Sequence, residues 1–216
     1  AIEIDPTFAD TLNYKGYALN SLKRYDKAIE CFDKAIEIDP TFADTLNYKG
    51  YALNSLKRYD KAIECFDKSI EIDPTFAEAL HNKGVSYGNI EKYGEAIECF
   101  DKSIEIYGCI KHFNEYFSIE TDFADVWYNK GYTLNSLKRY DEAIECFDKS
   151  IEIKKNYLDI IYLRRGQSKY LNADYEGAIE DFQKMDEKNP NFTDVRHNNL
   201  GLCYYKQVLQ TCKRRI

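Results

Sequence analysis

Residues 1–34 read AIEIDPTFADTLNYKGYALNSLKRYDKAIECFDK, and residues 35–68 repeat them without a change. A fixed period of this size is the signature of a repeat architecture, in which each unit buries its apolar face only against its neighbours. Diverged copies continue almost to Ile216. Gly16, Gly50, Gly84, Gly131, Gly166 and Gly201 mark the register, with spacings of 34, 34, 47, 35 and 35. The value 47 is one period plus 13, so an insertion lies between Gly84 and Gly131.

Thr7 to Pro40 makes one unit. Thr7-x-x-Asp10 reads as a capping-box-like helix start, with Thr41-x-x-Asp44 and Thr75-x-x-Glu78 as its copies and Asp122-x-x-Asp125 and Asn191-x-x-Asp194 as variants. Leu12, Gly16 and Leu19 then fall on one helical face. Asn20-Ser21-Leu22-Lys23 reads as a turn, and Ala28, Phe32 and Ala35 as the face of a second helix that Pro40 ends. Each unit is therefore expected to be a pair of antiparallel helices. A helical glycine costs about 1 kcal/mol against alanine. Its recurrence implies close packing that outweighs the cost, with Phe32, Phe66, Phe100, Phe147 and Phe182 filling the neighbouring gap. Ala28, Ala62, Ala96, Ala143 and Ala178 hold the matching small position.

This pattern resembles the tetratricopeptide repeat family. Counting Ala9 as position 1, the first unit offers Leu12, Gly16, Leu19, Ala28, Phe32, Ala35 and Pro40 where that family expects large, small and aromatic residues and a closing proline. The resemblance implies an all-α fold: an α-solenoid of antiparallel helix pairs wound as a right-handed superhelix. It implies one domain over 1–216, with repeats at 9–42, 43–76, 77–108, 124–158 and 159–192. Residues 1–8 read as the tail of a preceding repeat, so a longer protein is expected. Lys15, Lys49, Lys83, Lys130 and Arg165 depart from the family at position 7, where their stems are expected to cover a packing edge while the charge reaches water. Lys23, Lys57 and Lys138 stand in turns where glycine is frequent, and Lys154-Lys155-Asn156 replaces an Asp-Pro.

The insertion spans about 108–121, and its Ile110, Phe113, Tyr116 and Phe117 fit an amphipathic turn. It is read as a lengthened or extra helix that patches the repeats, or as a docking knob. Residues 194–216 read as one long helix that caps the last repeat, with a more polar outer side.

A formal charge of -7 disfavours nucleic acid and anionic membrane surfaces as partners. No run of about 18 apolar residues suggests a membrane span. Cys31, Cys65, Cys99 and Cys146 recur at one position and no C-x-x-C pair exists, so reduced, buried thiols in a cytoplasm-like compartment are expected, and no metal site or cofactor. His81, His112 and His197 have no nucleophile at a recognisable spacing, and the carboxylates repeat with the scaffold. No enzyme is expected.

Positions 2, 5, 9 and 12 share a second face of the first helix, which the packing between repeats is not expected to need. It holds Asp10, Asn13, Tyr17 and Asn20 in unit one, and Asp44, Asn47, Tyr51 and Asn54 in unit two. Unit three gives Glu78 and His81 with Asn82 adjacent; unit four gives Asp125, Tyr128, Tyr132 and Asn135 beside Asn129. The resemblance implies that this face lines a concave groove. Asparagine both donates and accepts, tyrosine offers rigid area with a polar tip, and the carboxylates favour a basic partner. The expected function is a protein-interaction scaffold that holds a peptide, basic or extended, in that groove. The alternative is a spacer, or a module that self-associates through its repeat ends. The carboxylate clamp of chaperone-adaptor relatives is absent, since Asn13, Tyr17, Glu78 and Asn82 occupy its positions. The series is closer to the asparagine ladder of protein glycosyltransferases, whose position only Asn82, Asn129 and Asn199 match.

Overall fold

A computed structural model describes residues 6–111, 117–154, 158–187 and 189–213. They form α1 (Pro6–Ser21), α2 (Tyr25–Ile38), α3 (Ala43–Ser55), α4 (Tyr59–Ile72), α5 (Ala77–Asn89), α6 (Tyr93–Lys111), α7 (Phe117–Ser136), α8 (Tyr140–Ile153), α9 (Asp159–Leu171), α10 (Tyr175–Lys184) and α11 (Thr193–Lys213). The chain divides into two compact units, residues 1–112 with α1–α6 and residues 113–216 with α7–α11. Both are all-helical and built from sequential antiparallel pairs, the α-solenoid architecture of tetratricopeptide repeats.

Within each pair, the glycine of the first helix receives the phenylalanine of the second. A Cβ placed on Gly50 would stand 2.5 Å from Phe66 Cε1, and at Gly84 and Gly166 the corresponding distance is 2.7 Å. The five phenylalanines, Phe32, Phe66, Phe100, Phe147 and Phe182, are fully buried, as are Ala28, Ala62, Ala96, Ala143 and Ala178. Gly201 differs: nothing lies within 4 Å of the Cβ it would carry, so only five of the six register glycines are packing glycines.

The helix starts differ from the capping-box expectation. α3 begins after Phe42, which makes no side-chain cap, while Thr41 donates both its N–H and its hydroxyl to Asp39 Oδ1. Thr75 does the same with Asp73. The carboxylate two residues upstream takes the threonine into a local turn before the helix opens. Asp122 lies inside α7, and the Asn191 N–H is taken by Asn189 Oδ1. The turns between paired helices start two residues later than expected and end one later, at Leu22–Arg24 in the first repeat. Arg24 N–H bonds to the Leu19 carbonyl and Lys23 N–H to that of Asn20, a Schellman closure with Lys23 at φ 58°. Lys57, Glu91, Lys138 and Ala173 repeat the left-handed conformation.

Successive first helices touch: α1 with α3 and α3 with α5 in the first unit, α7 with α9 and α9 with α11 in the second. Neither α2 and α4 nor α8 and α10 come within contact range. The first helices therefore line the inner side of each unit's curve, and the second helices splay on the outer side. Identical sequence gives an internal control on what stacking covers. Tyr14 in α1 is 73% exposed and Thr11 and Ala18 are open, whereas in α3 Tyr48 is half-buried and Thr45 and Ala52 are fully buried.

The position-7 cations do not simply reach water. Lys49 Nζ lies 2.5 Å from Asp33, Lys83 Nζ 2.5 Å from Asp67, and Arg165 pairs with Asp148, in each case a carboxylate on the second helix of the preceding repeat. Burial opposes the charge on Lys83, but the hydrogen bond and charge of Asp67 outweigh it and hold its pKa above the ordinary lysine value.

The insertion, at about 108–121, takes in the last turn of α6, which is five residues longer than α2 or α4, and the start of α7 at Phe117. Phe113 and Tyr116 of the expected amphipathic turn lie outside the described residues. α11 closes the second unit as one helix against α10, with Cys203 fully buried and Arg196 Nε donating to the Phe182 carbonyl at 2.8 Å. Its outer side is not polar, since Leu202, Tyr205 and Val208 are exposed.

Candidate functional site

The second face of the first helices divides into a buried and an open set. In the first unit Asn13, Asn20 and Asn47 are buried. Asn20 Nδ2 donates to the Tyr48 carbonyl at 3.1 Å. Asn47 Nδ2 donates to Glu78 Oε1 at 3.0 Å, and Asn47 Oδ1 accepts from Asn82 Nδ2 at 3.1 Å. Asn54 Oδ1 accepts from the Ser86 hydroxyl at 3.2 Å. In the second unit Asn135 Oδ1 accepts from the Ser168 hydroxyl at 3.1 Å, and Lys154 Nζ donates to Asp125 at 2.8 Å. The expectation that packing between repeats does not need this face is thereby corrected. The amides of Asn20, Asn47, Asn54 and Asn135 tie one first helix to the next, whereas Asn13 Oδ1 and Asn20 Oδ1 are buried with no partner among the described residues.

The open set consists of tyrosines and acids. Tyr17 is 52% exposed, Tyr51 46% and Tyr132 47%, and Asp10 and Asp44 are exposed beside them. His81 and Tyr128, both at position 5, pack instead toward the phenylalanine of their own repeat, 5.9 Å from Phe100 and Phe147 respectively. Asn129 is half-buried, and its carbonyl accepts from the Thr133 hydroxyl. The first unit thus brings Asp10, Tyr17, Asp44 and Tyr51 onto one solvent-facing surface. The second carries Tyr132 near a neutralised Asp125.

Tyr48, at position 6, was not singled out from the sequence. Its ring meets Tyr17 edge-on at 5.2 Å between centroids. Burial, and then the carboxylates of Glu78 and Asp44, push its hydroxyl up to about 12. The pairing of position-7 cations with Asp33, Asp67 and Asp148 was also missed, although both charges recur in the repeat and could have been matched.

Two hollows in the first unit lie elsewhere, where the second helices splay. One of about 630 Å³ has Ile29, Ile36, Leu46 and Leu53 in its lining and is bridged by Lys49 and Asp33. The other, of about 420 Å³, sits one repeat on over Leu80 and Cys99 and is bridged by Lys83 and Asp67. Neither includes a residue of positions 2, 5, 9 or 12. Both are gaps between stacked repeats of the first unit, with ion pairs already satisfied inside them.

Among the described residues no group of three His, Cys, Asp or Glu could hold a metal ion, and no helix is long and apolar enough to cross a membrane. What the open set offers is aromatic area, hydroxyls and negative charge, the means to hold a cationic or extended polar chain.

The tetratricopeptide repeat model matches residues 9–42, 43–76, 77–108 and 124–157. The fifth pair, α9 and α10, lies outside that match yet keeps the same contact of Gly166 with Phe182. A crystal structure of MamA is similar at 25% identity and a TM-score of 0.64, covering 78% of this chain and 91% of that one. PilF of Pseudomonas aeruginosa is similar at 20% identity and a TM-score of 0.69, covering 82% and 74%. YrrB, described as a tetratricopeptide repeat protein with an unusual peptide-binding site, is similar at 23% identity and a TM-score of 0.65, covering 83% and 84%. The last two share the fold alone. No curated protein matches the chain.

Proposed function

We propose, from the premise that this chain belongs to the tetratricopeptide repeat family, that its first unit binds a basic or extended segment of a partner protein along the inner face of α1, α3 and α5. The family generally mediates protein–protein interactions and is typically non-catalytic. The observation that carries the reading is the open set itself. Tyr17 and Tyr51, in identical register, are each about half exposed, and Asp10 and Asp44 are exposed two turns earlier on the same helices. Buried asparagines hold the helices that present them. In this reading the protein is a non-enzymatic scaffold without cofactor or metal, and it takes neither nucleic acid nor membrane as partner. The buried thiols suit a reducing, cytoplasm-like compartment.

The test is selection of binders from a displayed peptide library, followed by titration of the selected peptides against Tyr17→Ala/Tyr51→Ala. Affinity should fall while the thermal midpoint holds. Equal affinity for the double variant would remove this face from the proposal. Self-association through the repeat ends is the second reading. Sedimentation velocity over a concentration series tests it, and a strictly monomeric species would exclude it.

A further inference from the structure

The position-9 tyrosines Tyr17 and Tyr132 meet position 6 of the next repeat, and that position holds a different residue at each of the three junctions within the units. At the first, Tyr48 stands edge-on to Tyr17. At the junction within the second unit, the Arg164 guanidinium lies over the Tyr132 ring, 5.3 Å from its centroid. At the junction of the second and third repeats the residue is Asn82, whose amide is already given to Asn47. Among the described residues no ring or cation stands over Tyr51.

Resting on the peptide-binding reading above, we infer that Tyr51 is a subsite for an arginine side chain of the partner, equivalent to the place that Arg164 fills from within on Tyr132. The equivalence is one of register: Tyr51 and Tyr132 each follow their packing glycine, and Asn82 and Arg164 each precede theirs by two. Tyr51 is half-exposed, as Tyr132 is, and a planar guanidinium stacks on an aromatic face better than a compact ammonium does. The surrounding charge agrees in sign. Asp44 is exposed on the same helix, and the carboxylates of Asp44 and Glu78 both act on the nearby Tyr48 hydroxyl. Arg164 already lies over Tyr132 and Tyr48 meets Tyr17, so among these three rings the arginine subsite falls to Tyr51.

The probes are a short Gly/Ser peptide carrying arginines and its counterparts with lysine or the neutral isostere citrulline, titrated into the whole chain by nuclear magnetic resonance. The arginine peptide should shift Tyr51 and its neighbours and bind about two- to fivefold more tightly than the lysine peptide. Citrulline should bind least. Tyr51→Leu, which keeps apolar bulk without an aromatic face, should lose the arginine preference, and Tyr51→Phe should keep it. Arg164→Ala should make Tyr132 respond to the arginine peptide as well. Equal binding of arginine and citrulline peptides, or a preference that survives Tyr51→Leu, overturns the subsite. If library-selected peptides still depend on Tyr17 and Tyr51 in that case, the broader surface stands; if none does, both fail.

Discussion

Phe66 occupies the space that any side chain at Gly50 would need, with ring Cε1 2.5 Å from where a Cβ would sit. This pair is the unit of the fold. It sets how closely the two helices of a repeat approach, and it recurs at Gly84–Phe100 and Gly166–Phe182. Gly201 keeps the register but not the partner. Gly50→Ala should therefore destabilise by about 1–3 kcal/mol, since the ring must move within a filled core. Gly201→Ala should stabilise by up to about 1 kcal/mol, gaining helix propensity at no steric cost. Urea unfolding of both variants checks the contrast; a loss of stability at Gly201 would contradict it.

Asp67 and Lys83 join the second repeat to the third. The pKa of Lys83 is raised in the folded state, so the pair's contribution is fully present below the unfolded lysine value and is lost as pH rises through the folded one. Stability should thus decline as pH climbs beyond the ordinary lysine value of 10.5, and Asp67→Asn should flatten that decline. At neutral pH Asp67→Asn should cost only about 0.5–1 kcal/mol, because the carboxylate is half-exposed. Chemical unfolding at stepped pH reads both effects.

Asn47 and Tyr51 belong to one stripe but should separate on mutation. Asn47→Ala strands the amide of Asn82 and removes the donor to Glu78, a loss of about 1–3 kcal/mol in thermal or urea unfolding. Tyr51→Ala removes a half-exposed ring and should cost less stability than Asn47→Ala while costing more binding. A ligand test that mutates the asparagines would confuse unfolding with loss of contact.

The seven cysteines should react in two classes. Cys109 and Cys212 are exposed, whereas Cys31, Cys65, Cys99, Cys146 and Cys203 are buried. Burial also pushes the thiols of Cys99 and Cys203 up to about 11 and raises that of Cys65, which keeps them protonated near neutral pH. Mass spectrometry after brief iodoacetamide treatment should find two alkylated cysteines, with the rest appearing only on unfolding.

The helix pairs were legible because glycine, alanine, phenylalanine and proline recur at one period, and each has a steric role that a single sequence displays. The five packing contacts followed from that pattern, but the isolation of Gly201 did not, because what faces a residue is set by how its neighbouring helices pack and not by register alone. The candidate stripe was legible as a face and not as a set of bonds. Helical spacing places Asn47 and Tyr51 side by side, yet only the distance between α3 and α5 decides that the amide is consumed by Asn82 and Glu78 while the ring stays in water. Thr41 misled as a cap because Asp39, two residues earlier, competes for its hydroxyl. Residue identity cannot rank two local hydrogen bonds that use the same donor.

The most direct test of the inner face as the partner surface is to locate a bound peptide by intermolecular nuclear Overhauser effects. A library-selected peptide, bound to the chain labelled on tyrosine rings and isoleucine and leucine methyls, should show contacts to the rings of Tyr17 and Tyr51. Contacts confined to the methyls of Ile29, Ile36 and Leu53 would place the ligand in the outer hollow and contradict the inner face.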